Sequence, residues 1–156
     1  MKSIFYSAYS IVLALWTGGM AIFTFLLTPV IFKSYGRDIA GDIVGRLFPG
    51  YFFYTLALSL AALILVFIVM ENQAAFAARF SLLLLVAALI INSYVFFKLH
   101  PDTVEVKQRI TSFERESKDS PARKEFSRLH AISAVLNLAV FADGVILLVI
   151  APALRR

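Results

Sequence analysis

The chain contains no cysteine in its 156 residues, which excludes disulfides, thiolate metal sites and cysteine nucleophiles. Charge is scarce as well. Only 16% of residues are Asp, Glu, Lys or Arg, 60% are apolar, and mean hydropathy is +0.83. A soluble domain of this length cannot hide so much apolar surface, whereas a small membrane protein exposes it to lipid. There are only two histidines, fewer than the three or four protein ligands that zinc takes. No hydrolase triad, P-loop or dinucleotide fingerprint occurs, so no catalytic residue is assigned, no enzyme activity is expected and no cofactor is implied.

What is present is long apolar runs. Ile4–Phe32, Tyr51–Met70, Phe80–Phe97 and His130–Leu154 each approach or exceed the ~20 residues that carry a helix across a bilayer. None alternates as a barrel strand would. The expected fold is all-α, an integral membrane four-helix bundle, with residues 1–156 forming a single transmembrane domain. The first run is too long for the apolar part of a signal peptide, and no small-residue cleavage site follows it. Between spans three and four, residues 101–129 form a polar loop, expected to be an amphipathic helix over Asp102–Lys118. Asp119-Ser120-Pro121 then reads as a stop, an N-cap and an N1 proline. A new helix should run from there into span four. Pro49-Gly50 is expected to break or kink the entry to span two.

Of the fifteen Lys and Arg residues, eleven lie in the loops joining spans one to two and three to four. The positive-inside rule therefore places both loops in the cytoplasm and both termini outside, as in a multi-pass protein of a bacterial inner membrane. Solvation and topology account for this basic charge, and nucleic-acid binding is not expected. The lipid bilayer is one partner. A homo-oligomer or a membrane partner protein is another.

Polar residues inside the spans are the candidates for function. At ~100° per residue, His130, Ser133, Asn137, Phe141 and Gly144 share one face of the last helix. Asn92 on helix three and Thr24 on helix one fall at a similar depth, in the half of the bundle nearer the long loops. These groups are the expected lining of a polar vestibule: His130, Ser133, Asn137, Asn92 and Thr24. The bland alternative is that the two amides only tie helices together. His100 and His130 lie at one edge and are a weak metal pair. Interfacial caps are the plainer reading of both. Asp143 sits mid-span, off the Asn137 face, and an acid at that depth is expected to be an ion or proton site. Trp16, Gly18 and Gly19 mark a helix-packing position where a backbone comes close. Met20 and Met70 are far apart in depth and read as gap-fillers.

The elements Trp16-x-Gly18-Gly19, Pro29-x-x-Phe32 and Gly41-x-x-x-Gly45-x-Leu47-Phe48-Pro49-x-Tyr51 occur in order. Asn92 and then Phe126-x-x-Leu129-His130-x-x-Ser133-x-x-x-Asn137 follow. Together they resemble the domain-of-unknown-function family typified by transmembrane protein 205, over nearly the whole chain. That resemblance implies four membrane helices with a long loop before the last, and no settled activity. It also implies export or trafficking linked to metal-containing drugs, for which sulfur ligands have no cysteine here. The expected function is binding or passage of a small solute or cation through a cytoplasm-facing vestibule. The alternative is a structural or assembly module that recruits a partner and has no substrate.

Overall fold

The computed structural model describes residues 2–70 and 76–155. Among them there is helix and no strand. Helix α1 (Lys2–Ala21) passes through a π-helical turn, Ile22–Leu27, into α2 (Thr28–Ser34). After a two-residue link comes α3 (Arg37–Val69), then α4 (Phe76–Tyr94). A second π-helical turn, Val95–Leu99, leads into α5 (His100–Gln108). An irregular loop precedes α6 (Pro121–Ile150), which closes in a 3-10 turn, Ala151–Arg155. Residues 71–75 of the link between α3 and α4 lie outside the described part.

These segments make four continuous rods: Ser3–Ser34, Arg37–Val69, Phe76–Gln108 and Pro121–Leu154. Each is 32 to 34 residues long and carries a window of mean hydropathy from 2.0 to 2.6. The chain is a multi-pass membrane protein built as an all-α four-helix bundle. At 1.5 Å per residue each rod measures about 50 Å, against about 30 Å of hydrocarbon. Part of every rod therefore stands beyond the apolar slab.

Burial recurs every three or four residues. On α3 the buried positions are Ala40, Val44, Tyr51, Phe52, Thr55, Ser59, Ala62, Val66 and Val69; on α4 they are Ala78, Ser81, Leu85, Ala88 and Asn92. Helix α1 contributes Tyr9, Leu13, Trp16 and Met20, and α6 contributes Val140, Gly144 and Leu147. This is the seam of a helix bundle, in which side chains of one helix fill gaps between those of its neighbours. Fully buried positions on α6 begin only at Val140; in its loop-side half Leu129 and Leu136 pack half-buried against the core. The outward faces carry large exposed side chains such as Ile11, Phe53, Ile64, Leu83, Ile90 and Val149, which is the surface that lipid covers.

Two expectations need correction. Helix α3 runs through Pro49, so of the break or kink expected there the break does not occur. Its proline removes one N–H donor, which is tolerated in a membrane protein where neighbouring groups serve the freed carbonyl. The helix expected over Asp102–Lys118 ends at Gln108 instead, and it begins at His100 as a continuation of span three. The cause lies in the loop. Asp38 on α3 accepts from the Ser112 hydroxyl at 2.6 Å and from the Phe113 N–H at 2.5 Å. Ser112 Oγ in turn accepts from the N–H groups of Glu114 and Arg115, both at 3.2 Å. Side chains thus take the backbone donors that a helix would have used. The N-terminus of α6 forms as its residues indicate, with Ser120 as N-cap, Pro121 in the first turn and Ser120 Oγ accepting from the Arg123 N–H.

Candidate functional site

The loop-side end of the bundle holds a partly open cavity of about 290 Å³. All four rods line it. Thr28 and Phe32 come from α2, and Arg37, Gly41, Val44, Gly45 and Phe48 from α3. His100, Thr103, Val104 and Lys107 come from α5, Phe126 and His130 from α6, and Phe113 from the loop. The walls are mainly apolar, the charged members are both cationic, and no carboxylate lines the space.

The roof is fastened from two sides. Asp38 holds the Phe113 N–H, and Arg123 Nη1 donates to the carbonyls of Phe113 at 2.8 Å and Glu116 at 2.7 Å. The guanidinium also lies 5.3 Å above the Phe113 ring, and Phe113 meets Phe126 edge-on at 4.9 Å. Asp38 stands on the first turn of α3, well before the apolar part of that helix begins. The Ser112 hydroxyl and the Phe113 N–H hold its carboxyl below the ordinary carboxylate value. On the opposite wall Lys107 Nζ bridges α5 to α3, donating to Asp42 Oδ1 at 2.7 Å and to the Gly41 carbonyl at 3.0 Å.

The floor, at Phe48 and His100, is backed by an aromatic layer. Phe23 stacks on Tyr51 with centroids 4.0 Å apart, and Phe48 stacks on Phe52 at 5.2 Å. His100 leans on Phe52 at 5.2 Å and on Phe48 at 6.1 Å. His130 stacks face to face on Phe126 at 5.9 Å. Neither imidazole has a hydrogen bond among the described residues.

Below that floor lies the amide cluster. The Tyr51 hydroxyl donates to Asn137 Oδ1 at 2.5 Å, and Asn137 Nδ2 donates to Thr24 Oγ1 at 2.9 Å. Asn92 faces α3 instead, donating to Ser59 Oγ at 3.2 Å and reaching the Thr55 carbonyl at 3.5 Å. Asn92 and Asn137 border one cavity of about 10 Å³, the room of a single water molecule.

The predicted residues therefore divide. His130 and His100 line the large cavity. Asn137, Thr24 and Asn92 lie deeper, engaged with hydrogen-bond partners and outside its lining. Ser133 is half-buried and makes no hydrogen bond among the described residues. Asp143 is half-buried one position from Gly144 and has no hydrogen bond or ion pair among the described residues. Among the described residues no group of three His, Asp or Glu side chains is placed to hold a metal. Trp16 is fully buried, and its indole N–H has no partner among the described residues. Of the glycine pair, Gly19 is the close approach: a Cβ there would enter the Tyr54 ring, while one at Gly18 would meet open space. The Tyr54 hydroxyl passes over Gly19 to donate to the Leu15 carbonyl.

The expected vestibule shares His130 with this cavity, whereas the apolar walls, the roof and both π-helical turns carry no local signal in the sequence. The π turns lie where the site needs them. One carries Thr24 and the other ends against His100. A π turn inserts an extra residue and resets which side chains face inward, and such turns gather at functional sites.

Residues 11–112 match the family described as a domain of unknown function (DUF4149). The chain belongs to that family. The matched segment spans α3, α4, α5 and most of α1, and so carries the cavity wall from Thr28 to Lys107. Phe113, Phe126 and His130, which close the cavity, lie beyond it. Searches of curated proteins and of solved structures found no match to the chain.

Proposed function

We propose that this membrane protein binds a small solute in its loop-side cavity, and that the cavity is the entrance of any passage through the bundle. One observation carries this reading: about 290 Å³ of space, walled by all four rods and roofed by Phe113. That volume is at the lower end of small-molecule sites, which are typically about 300–1,000 Å³. The lining, with Arg37 and Lys107 and no carboxylate, supports a neutral or anionic solute over a metal cation. In this reading the long loops face the cytoplasm of a bacterial cell, and the Tyr51–Asn137–Thr24 cluster is the seal beneath the cavity. The Phe126–His130–Asn137 run supports placing the chain near the group typified by transmembrane protein 205.

Gly41 provides the test, because a side chain added there points into open space. Thermal stability in lipid nanodiscs, screened against a chemically mixed set of small solutes, should rise for some solutes in wild type. The rise should vanish in Gly41→Leu, which fills the cavity. A screen without any stabilising solute, or one with equal shifts in the filled variant, removes this reading.

A second reading, an assembly module without substrate, is favoured by Asp143 alone. A half-buried acid within a span and without a partner among the described residues fits a contact with another subunit. That reading predicts dissociation of an oligomer in Asp143→Leu.

A further inference from the structure

The loop-side cavity sorts its charges unevenly, and the sorting points to a class of ligand. Two carboxylates stand near it on α3, and both are engaged elsewhere. Asp42 pairs with Lys107 at 2.7 Å, and Asp38 holds Ser112 and Phe113 of the roof. Lys107 is committed to Asp42 and the Gly41 carbonyl. Arg37 is different. It is among the residues that line the cavity, is exposed, and has no hydrogen bond or ion pair among the described residues.

His100 and His130 line the same space with their rings seated against phenyl rings and their nitrogens unbonded among the described residues. A neutral imidazole offers one N–H donor, and a guanidinium offers five in a fork suited to carboxylate or phosphate. An arginine at a membrane edge is ordinarily a topology signal. Here it borders a space with phenyl walls at Phe48, Phe113 and Phe126 and no acid in its lining; the Glu114 carboxylate stands beside Gly36, one position away, without an ion pair to Arg37. An unpartnered guanidinium beside apolar walls favours an anion more strongly than one in open water does.

Resting on the reading of this cavity as a ligand site, we infer that its ligand is an anionic amphiphile: one carboxylate or phosphate head on a short apolar body. The head lies at Arg37 with the imidazole N–H groups as further donors, and the body lies against the phenyl rings. A free amphiphile and the head of an anionic bilayer lipid share this chemistry, since basic pockets between membrane helices take lipid heads.

The test uses the full chain in phosphatidylcholine nanodiscs, with octyl phosphate, octanol and octyltrimethylammonium titrated calorimetrically and empty nanodiscs subtracted. Octyl phosphate should bind about tenfold or more tightly than the other two, the scale of one charge-assisted contact. Arg37→Gln should erase that preference, Arg37→Lys should keep part of it, and Gly41→Leu should abolish binding. Weaker octyl phosphate binding in nanodiscs containing phosphatidylglycerol identifies the lipid as the source, and unchanged binding identifies the free amphiphile. Equal binding of the three probes, or a preference that survives Arg37→Gln, overturns the inference. If Gly41→Leu still abolishes that binding, the cavity remains a ligand site for another class. Binding indifferent to Gly41→Leu, or no binding at all, defeats both readings.

Discussion

Tyr51 and Asn137 are joined by a 2.5 Å hydrogen bond across 86 residues of chain, and Asn137 carries the tie on to Thr24. Three rods are thereby held at one depth, directly beneath the aromatic floor. Hydrogen bonds between membrane helices average about 0.6 kcal/mol and reach about 1.7. Tyr51→Phe should therefore destabilise the bundle by about 1 kcal/mol and Asn137→Ala by somewhat more, since the latter also strands Thr24. A double-mutant cycle on unfolding in detergent should return a coupling of about 0.5–1.5 kcal/mol. Strict additivity would show that the contact contributes nothing.

The glycine pair offers a contrast within two adjacent positions. Gly18→Ala should change stability little, because its new methyl meets open space. Gly19→Ala should cost about 1–3 kcal/mol, the usual penalty of overpacking, because the methyl enters the Tyr54 ring. Tyr54→Ala should relieve much of that penalty when combined with Gly19→Ala. Equal effects at the two glycines would refute the packing described.

The roof over the cavity should be sensitive to acid. The folded-state carboxyl of Asp38 lies below its ordinary value because Ser112 and Phe113 donate to the charged form. A depressed folded value means the contribution is complete above the unfolded value, about 3.9, and is lost as pH falls through the folded one. Neutral-pH hydrogen exchange at the Phe113 amide should be slow in wild type and fast in Asp38→Ala. Lowering pH below about 4 should increase proteolysis of the 109–120 loop in wild type more than in the variant. Equal protection in the two proteins would show that Asp38 does not hold the roof.

Asp143 has no partner to lose among the described residues. Placing an acid mid-membrane costs about 2.5–3.5 kcal/mol on insertion scales, so Asp143→Leu should stabilise the bundle, by a fraction of that for a half-buried group. Under the solute-binding reading the mass of the detergent-solubilised particle stays unchanged. A fall in that mass would favour the assembly module.

Regular periodicity explains what could be read in advance. The four rods, the Ser120 cap and the inward position of Asn137 follow from hydropathy, a capping pattern and a 100° step, all local properties of a helix. Depth puts Thr24 in the same slab as Asn137, but it puts Asn92 there too, so it does not select the pair that forms. The rest depends on departures from that step or on distant pairs. The π turns at Ile22–Leu27 and Val95–Leu99 change the register without any distinctive residue. The Asp38–Phe113 and Lys107–Asp42 contacts join positions 75 and 65 residues apart, and together with Arg123 they build the roof and wall. The position of His130 in its helix puts it at the loop-side edge of the expected vestibule, while no local pattern puts His100 on the same space.

The native chain has no cysteine, so a single introduced thiol reports on one position without background. Modification of Gly41→Cys by a membrane-impermeant maleimide, with Gly18→Cys as the mid-span control, measures whether water reaches the cavity. Gly41→Cys should react from one side of the membrane only, the side bearing the loop before α6, while Gly18→Cys stays unmodified. A Gly41→Cys thiol as inert as the control, in permeabilised as well as intact vesicles, would mean that lipid or protein fills the space and that no solute enters it.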